Sequence, residues 1–222
     1  DNTVLYGAEV SVSGNYRTGE DRLKFEDQNG ITGNWDGSSG ILSLSGAAPF
    51  PNYLSALRSV RYTNMSANPD TVQRTVSFVV NDGASRSIPV SRVITISAVN
   101  YAPELSQVET EIMIYTEGEG AKPVTASLFA DDKDYTNMAG AVAEVTGNYR
   151  LDEDVLGFTN QDRITGAWDE TSGRISFSGS ATLAEYQSAL RSVTYTNKSA
   201  NPDTVLRTIS FIINDGTINS NT

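Results

Sequence analysis

Thr75-Val76-Ser77-Phe78-Val79-Val80 places Val76, Phe78 and Val80 on one face of an extended strand, because strand side chains alternate with period two. The pattern returns 133 residues later in Thr208-Ile209-Ser210-Phe211-Ile212-Ile213, with Ile209, Phe211 and Ile213 on the matching face. Outward from these strands, residues 1–89 align with 134–222 without a gap. Gly14-Asn15-Tyr16-Arg17 matches Gly147-Asn148-Tyr149-Arg150, and Ile31-Thr32-Gly33 matches Ile164-Thr165-Gly166. Trp35-Asp36 matches Trp168-Asp169, and Asn81-Asp82-Gly83 matches Asn214-Asp215-Gly216. Self-similarity at a fixed period makes the repeat the organising unit.

Short alternating segments rich in Val, Ile, Thr, Tyr and Phe recur along each repeat, which predicts many short antiparallel strands. Beyond 75–80 and 90–98, strands are expected at 107–115, 124–129, 141–146, 155–159, 163–168, 173–178 and 192–197. Asn29-Gly30, Ser39-Gly40 and Asn201-Pro202-Asp203 supply turns between strands. Thr182-Leu183-Ala184-Glu185 has capping-box spacing and predicts a short helix over 183–191. Its counterpart carries Pro49 and Pro51, so that helix is expected to start later and be shorter. Strands at this spacing favour an all-β sandwich. Ala102-Pro103 marks the boundary, giving units 1–101 and 102–222. By the repeat register, the first is expected to lack N-terminal strands and the second the strand that 88–99 supplies. The expectation is a piece of a longer array, or a chain from which a signal peptide was removed.

Composition narrows the chemistry. The chain has 222 residues, no Cys and no His, and 16 basic against 27 acidic residues, for a net charge of −11. No disulfide, Cys/His zinc site or His general base is available. An acidic chain without a basic run offers no electrostatic footprint for nucleic acid, and no apolar stretch is long enough for membrane insertion as a helix.

Carboxylates remain. The densest cluster is Asp131-Asp132-Lys133-Asp134, where three acids in four residues repel one another unless a cation neutralises them. Ca²⁺ takes six to eight oxygen ligands, part of which such a loop supplies. The spacing is not that of an EF-hand, and a solvated acidic turn is the alternative. Asp82 and Asp215 recur before the last strand, within an Asn-Asp-Gly sequence that also suits a hairpin turn. Glu117 and Glu119 suit either ligands or an exposed turn, and Glu20-Asp21 and Glu153-Asp154 either ligands or edge-strand charges. Trp35, Trp168, Tyr16 and Tyr149 suit sugar stacking or, more simply, a core. Asn64-Met65-Ser66 and Asn197-Lys198-Ser199 match the N-glycosylation sequon. Arg58, Arg74, Arg191 and Arg207 are read as surface ion-pair residues.

Taken together, Tyr186-Gln187-Ser188-Ala189-Leu190-Arg191-Ser192-Val193-Thr194-Tyr195-Thr196-Asn197, then Asn201-Pro202-Asp203-Thr204 and Arg207 to Gly216, resemble a specific family. It is the cadherin-like repeats of very long bacterial secreted and surface proteins, many of them adhesins. The resemblance covers essentially the whole chain. It implies tandem Greek-key β-sandwich (cadherin/immunoglobulin-like) repeats with calcium at their junctions, here carrying a short helix per repeat. In that family an Asp-x-Asp of the incoming domain, matched by Asp132 and Asp134, binds the metal. So does an Asp before the last strand, matched by Asp215, and the linker contributes Asn100. Asp1 and Asp82 would serve another junction, as would Glu117. Such linkers read Val-Asn-Asp-Ala-Pro, and here Tyr101 stands at the Asp position of Val99 to Pro103, which removes one carboxylate.

The function implied is a non-catalytic, calcium-rigidified structural repeat of an extracellular or cell-surface adhesin. Its partners are neighbouring repeats, with surface glycans or another cell-surface protein beyond them. A carbohydrate-binding module of a polysaccharide-associated protein is the alternative, and depends on Trp35, Trp168 and Tyr149 lying exposed on one face. A glycosidase with paired acids is disfavoured because a shallow sandwich encloses little substrate. An isopeptide bond through Lys133 is disfavoured because that lysine has no counterpart in the first repeat.

Overall fold

The computed structural model describes residues 3–161 and 163–222. Strands hold 46% of the chain and helices 9%, so the fold is all-β, consistent with a sandwich. The chain divides into two compact units between Val99 and Asn100, two residues ahead of the expected boundary. The first contains β1 (Val4–Gly14), β2 (Asp21–Lys24), β3 (Thr32–Asp36), β4 (Ile41–Pro49), α1 (Phe50–Ser59), β5 (Arg61–Asn64), β6 (Arg74–Asn81) and β7 (Val90–Ile94). The second contains β8 (Glu104–Ser106), β9 (Lys122–Pro123), β10 (Phe129–Asp131), β11 (Asn137–Gly147), β12 (Asp154–Gly157) and β13 (Thr165–Asp169). It continues with β14 (Arg174–Thr182), α2 (Leu183–Arg191), β15 (Thr194–Asn197) and β16 (Thr208–Asn214).

In the first unit a sheet ordered β3-β4-β1-β6-β7 accompanies the pair β2-β5. In the second, β13-β14-β11-β16 accompanies β12-β15-β9, with a further pair β10-β8. All ladders are antiparallel, and equivalent residues pair: Val10 opposes Phe78, and Ala143 opposes Phe211. Alternation decides burial. Val10, Val12, Leu42, Leu44 and Val76 face one core, and Ala143, Val145, Ile175, Phe177 and Phe211 the other, joined there by Leu156 and Tyr195 from the smaller sheet. Removal of this apolar area from water is the main favourable term for each unit.

Helix α2 spans the predicted residues and carries the predicted cap. Thr182 Oγ1 accepts from the Glu185 N–H at 3.2 Å, and Glu185 Oε2 accepts from the Thr182 N–H at 2.7 Å. The expectation for α1 is corrected: it starts at the equivalent position and is one residue longer, 10 against 9. Pro49 is its N-cap and Pro51 lies in its first turn, where backbone N–H groups have no helical partner to lose. Each helix closes its unit through a fully buried tyrosine. Tyr53 donates to Gly46 O at 2.7 Å and Tyr186 to Gly179 O at 2.6 Å.

The strands expected at 107–115 and 124–129 are also corrected. Only β8, β9 and β10 form ladders near them, and 107–115 runs without a ladder partner. The alternation there is real but reports burial: Met113 and Tyr115 pack on the core, while Ile112 and Ile114 face solvent. Glu109 organises the turn ahead of Leu128. Its carboxylate accepts from Thr125 Oγ1 (2.6 Å), Ala126 N (2.8 Å) and Ser127 N (3.0 Å).

Candidate metal centre at the entry to the second unit

The segment entering the second unit meets two loops of that unit. One is the acidic turn after β10, the other the Asn-Asp-Gly turn after β16. Asp132 Oδ1 accepts from the N–H groups of Asp134 (3.0 Å) and Tyr135 (2.9 Å), a local turn that an Asp side chain readily makes. Asp134, 8% exposed, accepts the Tyr101 N–H on both oxygens at 3.2 Å. Asp215 Oδ1 accepts from the N–H groups of Thr217 (2.6 Å) and Ile218 (2.7 Å), and its Oδ2 accepts the Asn100 amide at 2.8 Å. Thus Asn100, Asp132, Asp134 and Asp215 come together in one unit.

Two oxygens of this group lack donors. Asn100 Oδ1 and Asp132 Oδ2 are buried and have no hydrogen-bond partner. A buried acceptor without a donor costs roughly 1–3 kcal/mol, so the two oxygens are placed to take a donor or a cation. Electrostatics agree. Burial pushes the Asp134 carboxyl above its ordinary pKa, and the carboxylates of Asp132 and Asp215 push the same way against the Tyr101 N–H. Burial would raise Asp215 as well, but the N–H groups of Ile218 and Thr217 and the Asn100 amide outweigh it and hold its pKa low. Lys133 does not answer the need: its ammonium lies over the Tyr101 ring, 5.4 Å from the centroid. Among the described residues no three acidic side chains form a metal cage by themselves. The oxygens that fit a hard cation are mixed, with an amide and carboxylates sharing the work.

Other candidates lie outside this group. Asp131 is exposed on β10, opposite Glu104. Glu117 is exposed in the turn at 117–118 and makes no hydrogen bond among the described residues. Asp82 shapes the first unit's turn by accepting from Ala84 N (2.9 Å) and Ser85 N (2.7 Å). Asp1 lies outside the described residues.

Several residues have a different place from the one expected. Arg74 is not on the surface; fully buried, it donates to Asp21 at 2.8 Å. Arg207 donates likewise to Asp154 at 3.0 Å. Tyr62 and Tyr195 donate to the same aspartates at 2.5 and 2.6 Å, and burial together with those carboxylates pushes both phenols up to about 12. Arg191 donates to Leu128 O at 2.7 Å, and so ties its helix to the segment before β10. The sequon residue Asn197 is buried, and its amide nitrogen, the atom a glycan would take, donates to Asp154 Oδ1 at 3.2 Å. Trp35 and Trp168 are half-buried against their cores, edge-on to Tyr16 and Tyr149 at 6.2 and 6.4 Å. Neither tryptophan is among the exposed large apolar side chains. The carboxylate–guanidinium–tyrosine clusters escaped sequence reasoning because each aspartate lies 41 residues from its tyrosine and 53 from its arginine. The signal available was recurrence of all three in both repeats.

No protein-family model and no curated protein sequence matches the chain.

Proposed function

We propose that the chain is a pair of tandem cadherin-like, Greek-key sandwich repeats from a long extracellular or cell-surface adhesin. In this reading they act as non-catalytic spacers stiffened by calcium. The observation that carries it is the pair of unpartnered buried oxygens, Asn100 Oδ1 and Asp132 Oδ2, beside two further carboxylates. Asn100, Asp132, Asp134 and Asp215 would hold the ion, which supplies the positive charge that this oxygen cluster lacks.

The mechanism is electrostatic. Without a cation, Asp132, Asp134 and Asp215 repel one another, and Asp134 is held toward its protonated form. With one, the Asp134 carboxyl is released to ionise and the Asn100 carbonyl gains a partner. Asn100 and Tyr101 are the first residues of the second unit, so binding fixes the path by which the chain enters it. The Tyr101 side chain, in place of a linker carboxylate, leaves fewer anionic ligands and favours an affinity in the extracellular range of about 10⁻⁴–10⁻³ M. Neighbouring repeats are the direct partners.

Calorimetric titration of the chelator-treated chain with Ca²⁺ tests the reading. One saturable site lost in Asp132→Ala is expected, and no heat of binding at millimolar calcium would refute it.

A further inference from the structure

Between β2 and β3 the chain reverses in a two-residue turn at Asn29-Gly30. Gln28 and Ile31 exchange both backbone hydrogen bonds, at 3.0 and 2.8 Å, and φ is 54° at Asn29 and 75° at Gly30. Positive φ at both central residues is what so tight a hairpin requires. Of the asparagines in the chain, Asn29 alone precedes glycine. Both residues are exposed, and the Gly30 N–H makes no hydrogen bond among the described residues. A Cβ built on Gly30 would meet nothing within 4 Å. The exposure belongs to the fold, because the equivalent Arg163 is exposed in the second unit too. An amide carbon one residue ahead of an unhindered, unbonded backbone nitrogen is set up for ring closure. Comparable sites are closed. The Gly83 and Gly216 N–H groups, each following an aspartate, are donated to Asn81 and Asn214 Oδ1 at 2.7 Å. Ahead of Gly37, the hydroxyls of Ser39 and Ser38 hold the Asp36 pKa at about 2, and an ionised carboxylate is a poor electrophile. After Asn219, the Ser220 N–H is committed to Ile213 O at 2.8 Å.

We propose that Asn29 is a self-modification site, a timer that ages the first unit and spares the second. The Gly30 nitrogen attacks Asn29 Cγ; the new N–Cγ bond replaces the Cγ–Nδ2 bond, and the Gly30 proton leaves with the side-chain nitrogen as ammonia. Water, the one co-reactant, then opens the five-membered succinimide to aspartate or isoaspartate. Isoaspartate routes the main chain through the former side chain and adds a methylene to a turn whose length sets its register. The tip has little room for that. Ile31 is 1% exposed, Gln28 Nε2 donates to Ser59 Oγ of α1 at 2.8 Å, and Gly30 O lies where a Cβ on Gly46 would stand, 2.1 Å away. In the second repeat the equivalent pair is Asp162-Arg163, which has no amide to lose and no glycine to attack. None of these residues belongs to the metal centre, so the site is independent of the calcium reading.

The test incubates the folded full chain at pH 8 and 37 °C and follows each asparagine by peptide mass mapping, with isotopically heavy water marking the incorporated oxygen. Asn29 is expected to convert first, to a mixture richer in isoaspartate than aspartate. Gly30→Ala, which puts a Cβ beside the attacking nitrogen, should slow conversion at least about tenfold. Because Gly30 has positive φ, circular dichroism verifies that this variant is folded, and Asn29→Asp, which has no amide to lose, serves as a second reference. The aged isoaspartate form, separated by ion exchange, should melt a few degrees below Asn29→Asp, which carries the same charge without the added methylene. Three results would overturn the proposal. They are conversion of another asparagine ahead of Asn29, a rate unchanged in folded Gly30→Ala, and coincident melts of the isoaspartate form and Asn29→Asp.

Discussion

Asn100 donates its amide to Asp215 over 2.8 Å while its own carbonyl oxygen sits buried with no donor in reach. An amide satisfied at one end only is costly in a folded protein. Here the unsatisfied end shares a cluster with the equally unsatisfied Asp132 Oδ2. Both oxygens are of the kind that hard cations take as ligands.

Asp134 should show opposite effects with and without calcium. Its folded-state pKa lies above the unfolded value, so its favourable contribution is present at acidic pH and lost as pH rises through the folded value. In chelator at pH 7, Asp134→Asn is therefore expected to leave stability unchanged or raised. With saturating calcium the same variant should be less stable than the parent. Denaturant melts under both conditions check this, and a loss of stability in chelator would count against the repulsion described above.

Glu109 titrates in the other direction. Thr125 and the N–H groups of Ala126 and Ser127 hold its pKa at about 2 against an ordinary 4.5. Its contribution is thus present above about 4.5 and lost as pH falls toward 2. Glu109→Gln should flatten the acid limb of the stability curve in that window, measured by urea melts from pH 2 to 6.

The Arg74–Asp21 pair has neither side chain exposed. Removing one partner strands the other charge, and Arg74→Met alone is expected to cost about 3–5 kcal/mol. Adding Asp21→Asn should recover part of that loss, because the uncompensated carboxylate is gone. Equal destabilisation of the single and double variants would show that the charge is not the reason.

Gly179 sits at φ 133°, where a Cβ would lie 1.8 Å from Arg163 O. Gly179→Ala should therefore destabilise by more than about 2 kcal/mol. Gly118, also at positive φ but with open space around it, should tolerate Ala at a smaller cost from the backbone alone. Thermal melts of the two variants separate steric clash from conformational strain.

Much of the fold was legible because its signals are local. Val76, Phe78 and Val80 alternate, and Thr182 and Glu185 announce a helix start three residues apart. Where sequence reading failed, the deciding partner was remote. Residues 107–115 alternate as a strand does, yet no neighbour offers them a ladder. Arg74 reads as a surface charge until β6 brings it to Asp21, 53 residues away. At the proposed metal centre, Asp132, Asp134, Asp215 and Asn100, which the family resemblance implies, lie together, whereas Asp131 and Glu117 face solvent. Nothing in the local sequence distinguishes a carboxylate that turns inward from one that turns outward.

Calcium at the entry to the second unit is tested most directly by thermal melting of the full chain in 10 mM Ca²⁺ and in chelator. For a site of about 10⁻⁴–10⁻³ M, linkage gives about 1.4–2.7 kcal/mol, a rise in midpoint of roughly 3–10 °C. Asp132→Ala should abolish most of that rise. Coincident melts of the parent chain in calcium and in chelator would contradict the account.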